Sequence, residues 1–119
     1  IEGWFSLSPD GKQISFVRCP HRDDEFCSLW TADSADGKNE KMILSRPRPF
    51  RIGDNQFSPD GKSIAFAVGQ SVSQSNEFGL RKIDLESGTE SQISREKFFN
   101  IKSLVWLPDQ TALLITALK

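Results

Sequence analysis

Apolar residues in this chain fall on alternate positions in short runs, and polar turn residues separate the runs. In Gln13-Ile14-Ser15-Phe16-Val17, Ile14 and Phe16 share one face. In Ser63-Ile64-Ala65-Phe66-Ala67-Val68, Ile64, Phe66 and Val68 do the same. A period of two is that of a β-strand. The opposite faces carry Val17, or the small Ala65 and Ala67, as expected where a sheet is covered on both sides. The pattern predicts strand A at Trp4–Leu7, Asp54–Phe57 and Lys102–Trp106, and strand B at Gln13–Val17, Ser63–Val68 and Ala112–Thr116. Strand C follows at Ser28–Asp33 and Gly79–Leu85, and strand D at Lys41–Leu44 and Glu90–Ile93. Asp36-Gly37 and Ser87-Gly88 are hairpin dipeptides between C and D. No run reads as a helix; Arg95 to Lys102 is too short and too Phe-rich. The expectation is an all-β chain.

The strand pattern repeats. Ser8-Pro9-Asp10-Gly11-Lys12 recurs as Ser58-Pro59-Asp60-Gly61-Lys62, and a degenerate copy reads Leu107-Pro108-Asp109-Gln110-Thr111. Pro9, Pro59 and Pro108 lie 50 and then 49 positions apart. A fixed period of this length marks a repeat architecture. Proline presets φ for a tight turn, aspartate suits the next position, and glycine tolerates positive φ at its end. Gln110 and Thr111 break the frame, which predicts a wider or more strained third turn. Downstream, Leu29-Trp30-Thr31-Ala32-Asp33 matches Leu80-Arg81-Lys82-Ile83-Asp84, Gly37 matches Gly88, and Leu44-Ser45 matches Ile93-Ser94. Asp10, Asp60 and Asp109 belong to separate turns, so they are expected to cap those turns rather than converge on an ion.

Four strands per copy and this period point to propeller blades. The frame Phe57-Ser58-Pro59-Asp60-Gly61-Lys62-Ser63-Ile64-Ala65-Phe66, the polar hairpin after it, and Leu29-Trp30-x-x-Asp33 of the first copy closely resemble the WD40-like PD40 repeat of TolB-type β-propellers. The resemblance covers nearly the whole chain. It implies blade 1 at 1–45, blade 2 at 46–94, and a partial blade 3 at 95–119 holding strands A and B only. Such repeats occur in TolB, in sensor regions of bacterial kinases and winged-helix regulators, and in propellers of prolyl-oligopeptidase-type peptidases. The resemblance therefore implies a non-catalytic segment of a larger bacterial protein, serving protein interaction or signal sensing. The alternative is a propeller that gates a hydrolase domain elsewhere in its chain. The TolB-like reading would place the protein in a periplasm.

Length and charge narrow the partners. The 119 residues hold about two and a half blades, whereas closure of a propeller takes at least about four. A fragment of a longer protein is expected, with open blade edges that favour self-association or poor solubility. A net charge of −1 gives no global field for nucleic acid, and no apolar run is long enough to span a bilayer. A protein partner or a second copy is the expected ligand. Ten per cent aromatic residues with no tyrosine suit packing between blades.

Cys19 and Cys27 close strand B and precede strand C. A hairpin would set them opposite each other, so a disulfide and an oxidising compartment are one reading and two free, half-buried thiols the other.

Topology sorts the connections. The A–B and C–D turns share one side of the blades and are short. The B–C and D–A connections share the other side and hold the long loops Cys19–Phe26, Gly69–Phe78, Ser45–Gly53 and Ser94–Ile101. Binding residues concentrate on loops held by a rigid scaffold, so that side is the expected partner surface, against the alternative that long loops are merely tolerated there. It carries His21, Arg22 and Asp23; the cluster Arg46, Arg48 and Arg51 around Phe50; and Phe98 and Phe99. The arginines could grip phosphate or a carboxylate-rich peptide. The alternating prolines Pro47 and Pro49 instead suggest an extended crossover with solvated arginines. Pro20–Glu25 matches no zinc spacing, and Gln70–Asn76 reads as a mobile hairpin tip.

Catalysis finds no constellation. His21 is the lone histidine, no Gly-x-Ser-x-Gly elbow is present, and no glycine loop cradles phosphate. Neither metal nor cofactor is expected.

Overall fold

Asp10 and Asp60 build the same turn from the same atoms. Ser8 Oγ and the Lys12 N–H donate to Asp10 Oδ1 at 2.7 and 2.9 Å, and the Gln13 N–H donates to Ser8 Oγ at 3.0 Å. Fifty residues on, Ser58 Oγ and the Lys62 N–H donate to Asp60 Oδ1 at 2.6 and 2.9 Å, and the Ser63 N–H donates to Ser58 Oγ at 3.1 Å. Gly11 and Gly61 close the turns at φ 73°, a region open to glycine. These bonds are local, so the repeated pentapeptide folds the same way twice.

The computed structural model describes residues 5–19, 26–72 and 75–118. They form strands only. Strands β1 (Phe5–Leu7), β2 (Gln13–Arg18), β3 (Cys27–Asp33) and β4 (Lys41–Arg46) make one antiparallel sheet in that order. Strands β5 (Arg51–Phe57), β6 (Ser63–Val72), β7 (Ser75–Asp84) and β8 (Glu90–Gln92) make a second, and β9 (Asn100–Trp106) pairs with β10 (Leu113–Leu118) in a third. Leu7↔Ile14, Phe57↔Ile64 and Trp106↔Leu113 hold equivalent register positions.

The sheets stack face to face. Val17, Leu29 and Leu44 of the first pack on Ile52, Phe57, Ile64, Phe66 and Ile83 of the second. The small residues Ala65 and Ala67 turn the other way. With Leu80 they receive Ile101 and Leu104 from the third sheet and Phe98 from the connection leading to it. Small residues on one face let the third sheet approach closely. Phe66, Ile64 and Leu104 are fully buried, and burial of one such side chain contributes about 1.5–3 kcal/mol.

The leading strands β1, β5 and β9 lie side by side and are joined by polar contacts. The Phe57 N–H donates to Ser6 Oγ at 3.3 Å, the Leu104 N–H to Asp54 Oδ2 at 2.7 Å, and Trp106 Nε1–H to the Gln56 carbonyl at 3.3 Å. A bulge between Ile52 and Asn55 shifts the β5 register by one residue. It turns Asp54 towards β9 while Ile52 stays in the first interface.

Three expectations are corrected, and one alternative is resolved. Strand A of the second copy begins at Arg51, not Asp54, because the bulge carries the pairing back through Ile52. The stretch Gly69–Phe78 is not an irregular loop. Pairing continues through Gly69↔Phe78, Gln70↔Glu77 and Ser71↔Asn76 to Val72↔Ser75. This hairpin is polar because it projects past the core, so it shows no apolar alternation. The proline segment is not extended: the Phe50 N–H donates to the Pro47 carbonyl at 3.0 Å across a tight turn with a cis Arg48–Pro49 bond. Of the two expectations for the third turn, wider or more strained, the structure shows the strained one. The Gln110 N–H donates to the Leu107 carbonyl at 2.9 Å, as Gly11 does to Ser8. Gln110 adopts φ 66°, so the departure from glycine is met by backbone strain rather than by a new turn.

Candidate functional site

The two ends of the stack differ. At one end the A–B and C–D turns are tied to each other: the Ser34 and Leu85 N–H groups donate to the Lys12 and Lys62 carbonyls, each at 2.9 Å. Each turn carboxylate there accepts from its own turn, and Asp60 accepts also from Gln110 of the third turn. Hydrogen bonds from the Lys12 N–H and the Ser8 hydroxyl hold Asp10 below its ordinary pKa. The Ser58 hydroxyl and the Lys62 N–H do so for Asp60, and the Thr111 hydroxyl and N–H for Asp109. Among the described residues no group of His, Cys, Asp or Glu is placed to hold a metal ion.

The other end carries the D–A connections and the β6–β7 hairpin. The connection to the third sheet is pinned by a two-way bridge, with Phe78 and Phe98 exchanging N–H···O bonds of 2.8 Å. Phe98 is buried between the second and third sheets, whereas Phe99 is exposed. On this side lies a cavity of about 360 Å³ lined by Arg46, Pro47, Phe50, Val68, Gly69, Gln70, Glu77, Arg81 and Lys97. Of the predicted arginine cluster, Arg46 and Phe50 reach it, while Arg48 and Arg51 do not line it. The cluster therefore does not act as one unit. His21, Arg22 and Asp23 lie outside the described residues.

Charge in and around the cavity is organised by Glu90. Arg46 at the end of β4 pairs with both Glu90 oxygens, and Arg81 Nε donates to Glu90 Oε1 at 3.2 Å. Partial burial raises the Glu90 pKa, but the Arg46 and then the Arg81 guanidinium more than offset it, so the net shift is downward. The ion pair ties the outer strand of the first sheet to that of the second. Lys97 reaches over β7: a side-chain carbon on Gly79 would lie 2.9 Å from Lys97 Nζ. Arg81, Glu90 and Lys97 were not legible as site residues, because packing between sheets brings them together. The bare Gly79 beside an alternating Arg81 was the available signal.

Cys19 and Cys27 sit on the same side, against the start of β5. Their Cα atoms are 4.1 Å apart and the sulfurs are in contact. The Ile52 N–H donates to Cys27 Sγ at 3.1 Å. Asp54 is a further residue that sequence reasoning missed. It is buried, and desolvation raises its pKa despite hydrogen bonds from the Leu104 and Asn55 N–H groups and Gln56. Its role is to join inner strands. The visible signal was an acid inside a strand pattern.

The outward face of the first sheet is apolar, buried at Phe16 in its centre and exposed on its edge strands. Phe5 pairs with Phe16, Leu7 with Ile14, Phe16 with Trp30, and Trp30 with Met42. Phe5, Leu7 and Met42 are each more than half exposed. Arg18 lies over both the Phe16 and Trp30 rings, at 5.0 and 4.7 Å. Trp30 Nε1 is buried with no acceptor among the described residues. This face is the repeat equivalent of the Ile64 and Phe66 face that the second sheet packs on the first. At the opposite end Val105 and Leu114 are exposed. Among the described residues no helix is long and apolar enough to cross a membrane.

No protein-family model matches the chain. In three dimensions it is similar to TolB from Acinetobacter baumannii, with a TM-score of 0.65 and 18% sequence identity, over 95% of this chain and 26% of that one. The chain thus spans about a quarter of the length of that protein. At this identity the likeness concerns the fold, and with the sheet order above it makes the chain an all-β run of TolB-like β-propeller blades.

Proposed function

We propose that this chain is a PD40-type blade segment that works without catalysis, as the protein-interaction or signal-sensing scaffold of a larger bacterial protein. The observation that carries the reading is the inequality of the two ends. One end consists of short turns whose carboxylates accept from their own backbones, and its cavities of about 410 and 400 Å³ are lined by those turn residues rather than by projecting loops. The other presents the projecting β6–β7 hairpin, exposed Phe26 and Phe99, and a cation-lined cavity. Unspent polar groups and exposed aromatics are what a protein partner uses. The open faces at Phe5, Leu7 and Met42 and at Val105 and Leu114 suit further blades or a second copy. The Cys19–Cys27 pair is read as a disulfide, which favours an extracytoplasmic setting.

Proteins co-purifying with the chain in its natural context test this. Phe26→Ser and Phe99→Ser, on the long-loop side, are expected to lose the partner. Lys38→Glu and Ser87→Lys, on the short-turn side, are expected to retain it. The opposite pattern would overturn the reading.

A further inference from the structure

We propose that the cavity between Phe50 and the β6–β7 hairpin docks an acidic, aromatic-containing segment of a partner protein, with Arg81 and Lys97 holding a carboxylate and Phe50 an adjacent apolar side chain. The proposal rests on the interaction-scaffold reading and names the chemistry of its partner.

Arg81 is half used. Its Nε–H is committed to Glu90, and among the described residues its Nη1 and Nη2 groups make no hydrogen bond. Those two nitrogens form the edge of a planar guanidinium that matches both oxygens of a carboxylate. Lys97 has no ion pair among the described residues. Its ammonium is brought over β7 because Gly79 offers no side chain there. The Phe78–Phe98 bridge fixes the backbone beside Lys97. Arg46, Arg81 and Lys97 line the cavity with Glu77 as their facing acid, and Glu90 neutralises only part of the guanidinium charge. The cavity is left net positive.

The apolar lining selects the class of anion. Pro47, Phe50 and Val68 form one wall, and Phe50 is about a third exposed, at 36%. A dense polyanion gains nothing from such a wall, and the chain carries a net charge of −1. A peptide carboxylate next to a large apolar side chain uses both halves. Glu77 at the cavity edge disfavours multiply charged anions.

The test is fluorescence anisotropy of a labelled hexapeptide in which two Glu flank one Phe, titrated with the full chain. The expected result is saturable binding that weakens with salt and drops about tenfold with Lys97→Gln, the size of one charge-assisted hydrogen bond. Arg81→Gln should weaken it similarly. Lys97→Gln keeps the test decisive if loss of the Arg81–Glu90 pair impairs folding. Equal binding of a peptide with Gln for Glu, indifference to Lys97→Gln, or displacement by inorganic phosphate at lower concentration than by unlabelled peptide would overturn the proposal. Failure here, with partner loss still confined to Phe26→Ser and Phe99→Ser, would remove the cavity and leave the scaffold reading standing. Partner loss on neither side would remove the scaffold reading itself.

Discussion

Gln110 and Asp60 clasp each other across two blades. The Asp60 N–H donates to Gln110 Oε1 at 3.0 Å, and Gln110 Nε2 donates to Asp60 Oδ2 at 3.2 Å. The residue that breaks the repeat is thus the one whose side chain ties the third turn to the second. Gln110 stands at φ 66°, where a side chain costs about 1–2 kcal/mol, and the clasp offsets part of that cost. Gln110→Ala should keep the strain and lose the clasp, destabilising by about 1 kcal/mol in urea unfolding. Gln110→Gly should lose both and remain within about 0.5 kcal/mol of the parent. An alanine variant as stable as the glycine variant would contradict this.

The carboxylates separate by pH. Asp10, Asp60, Asp84 and Asp109 are lowered by backbone and hydroxyl hydrogen bonds, and Glu90 is lowered on balance against its burial. Their stabilisation is present above the unfolded values of 3.8 for Asp and 4.5 for Glu, and is lost as pH falls through the depressed folded values. Asp54 runs the other way. Raised by desolvation, it favours the folded state most below 3.8, and that contribution is lost as pH rises through its folded pKa. Carboxyl-carbon NMR titration should place the Asp54 midpoint above 3.8 and those of the turn aspartates below it.

Gly69 and Gly61 differ in what they forbid. A side-chain carbon on Gly69 would lie 2.1 Å from the Glu77 carbonyl oxygen, which the β6–β7 ladder fixes. Gly69→Ala should therefore cost more than about 2 kcal/mol and disturb the cavity wall. On Gly61 the nearest atom would be Pro9 Cδ at 3.6 Å, an ordinary contact, so only its positive φ resists substitution. Gly61→Ala should cost about 1 kcal/mol in the same unfolding assay.

The cysteine pair bears on the first interface. As a disulfide closing a short loop, Cys19–Cys27 contributes about 2–3 kcal/mol on the chain-entropy account. Reducing agent should lower the thermal midpoint and loosen protection of the Ile52 amide, whose N–H contacts Cys27 Sγ. An unchanged midpoint would mean that the pair is held as thiols.

Core and open faces should respond differently. Leu104 is fully buried, and Leu104→Ala should cost about 3 kcal/mol. Met42 and Leu114 are 51% and 57% exposed. Met42→Lys and Leu114→Glu should leave stability nearly unchanged while lowering the solution mass seen by light scattering at high concentration.

The parts legible in the sequence were those set by local chemistry. Ser8 and Asp10 bond within their own pentapeptide, so the motif carried its structure with it. The alternation of Ile64 and Phe66 with Ala65 and Ala67 likewise announced a sheet covered on both faces. Gln70–Asn76 read as a hairpin tip, but the ladder that carries the pairing through Gly69↔Phe78 gave no sign, since a hairpin outside the core has no apolar face to alternate. The Pro47–Phe50 turn was hidden by prolines that suit both extended and turned chains. The cavity was hidden for a different reason. Arg46 and Glu90 are 44 residues apart, and only the stacking of the first two blades makes them neighbours. Gln110 was visible as a departure from the repeat, but its partner in the adjacent blade was not.

The central claim is that the long-loop side is the working surface. Site-specific photo-crosslinking in cells producing the protein tests it most directly, with the crosslinker placed in turn at Phe26, Gln70 and Phe99 on that side and at Asp36 and Ser87 on the other. The account predicts discrete protein adducts from the first three positions and none from the last two. Adducts from Asp36 or Ser87, with none from Phe26, Gln70 or Phe99, would contradict it.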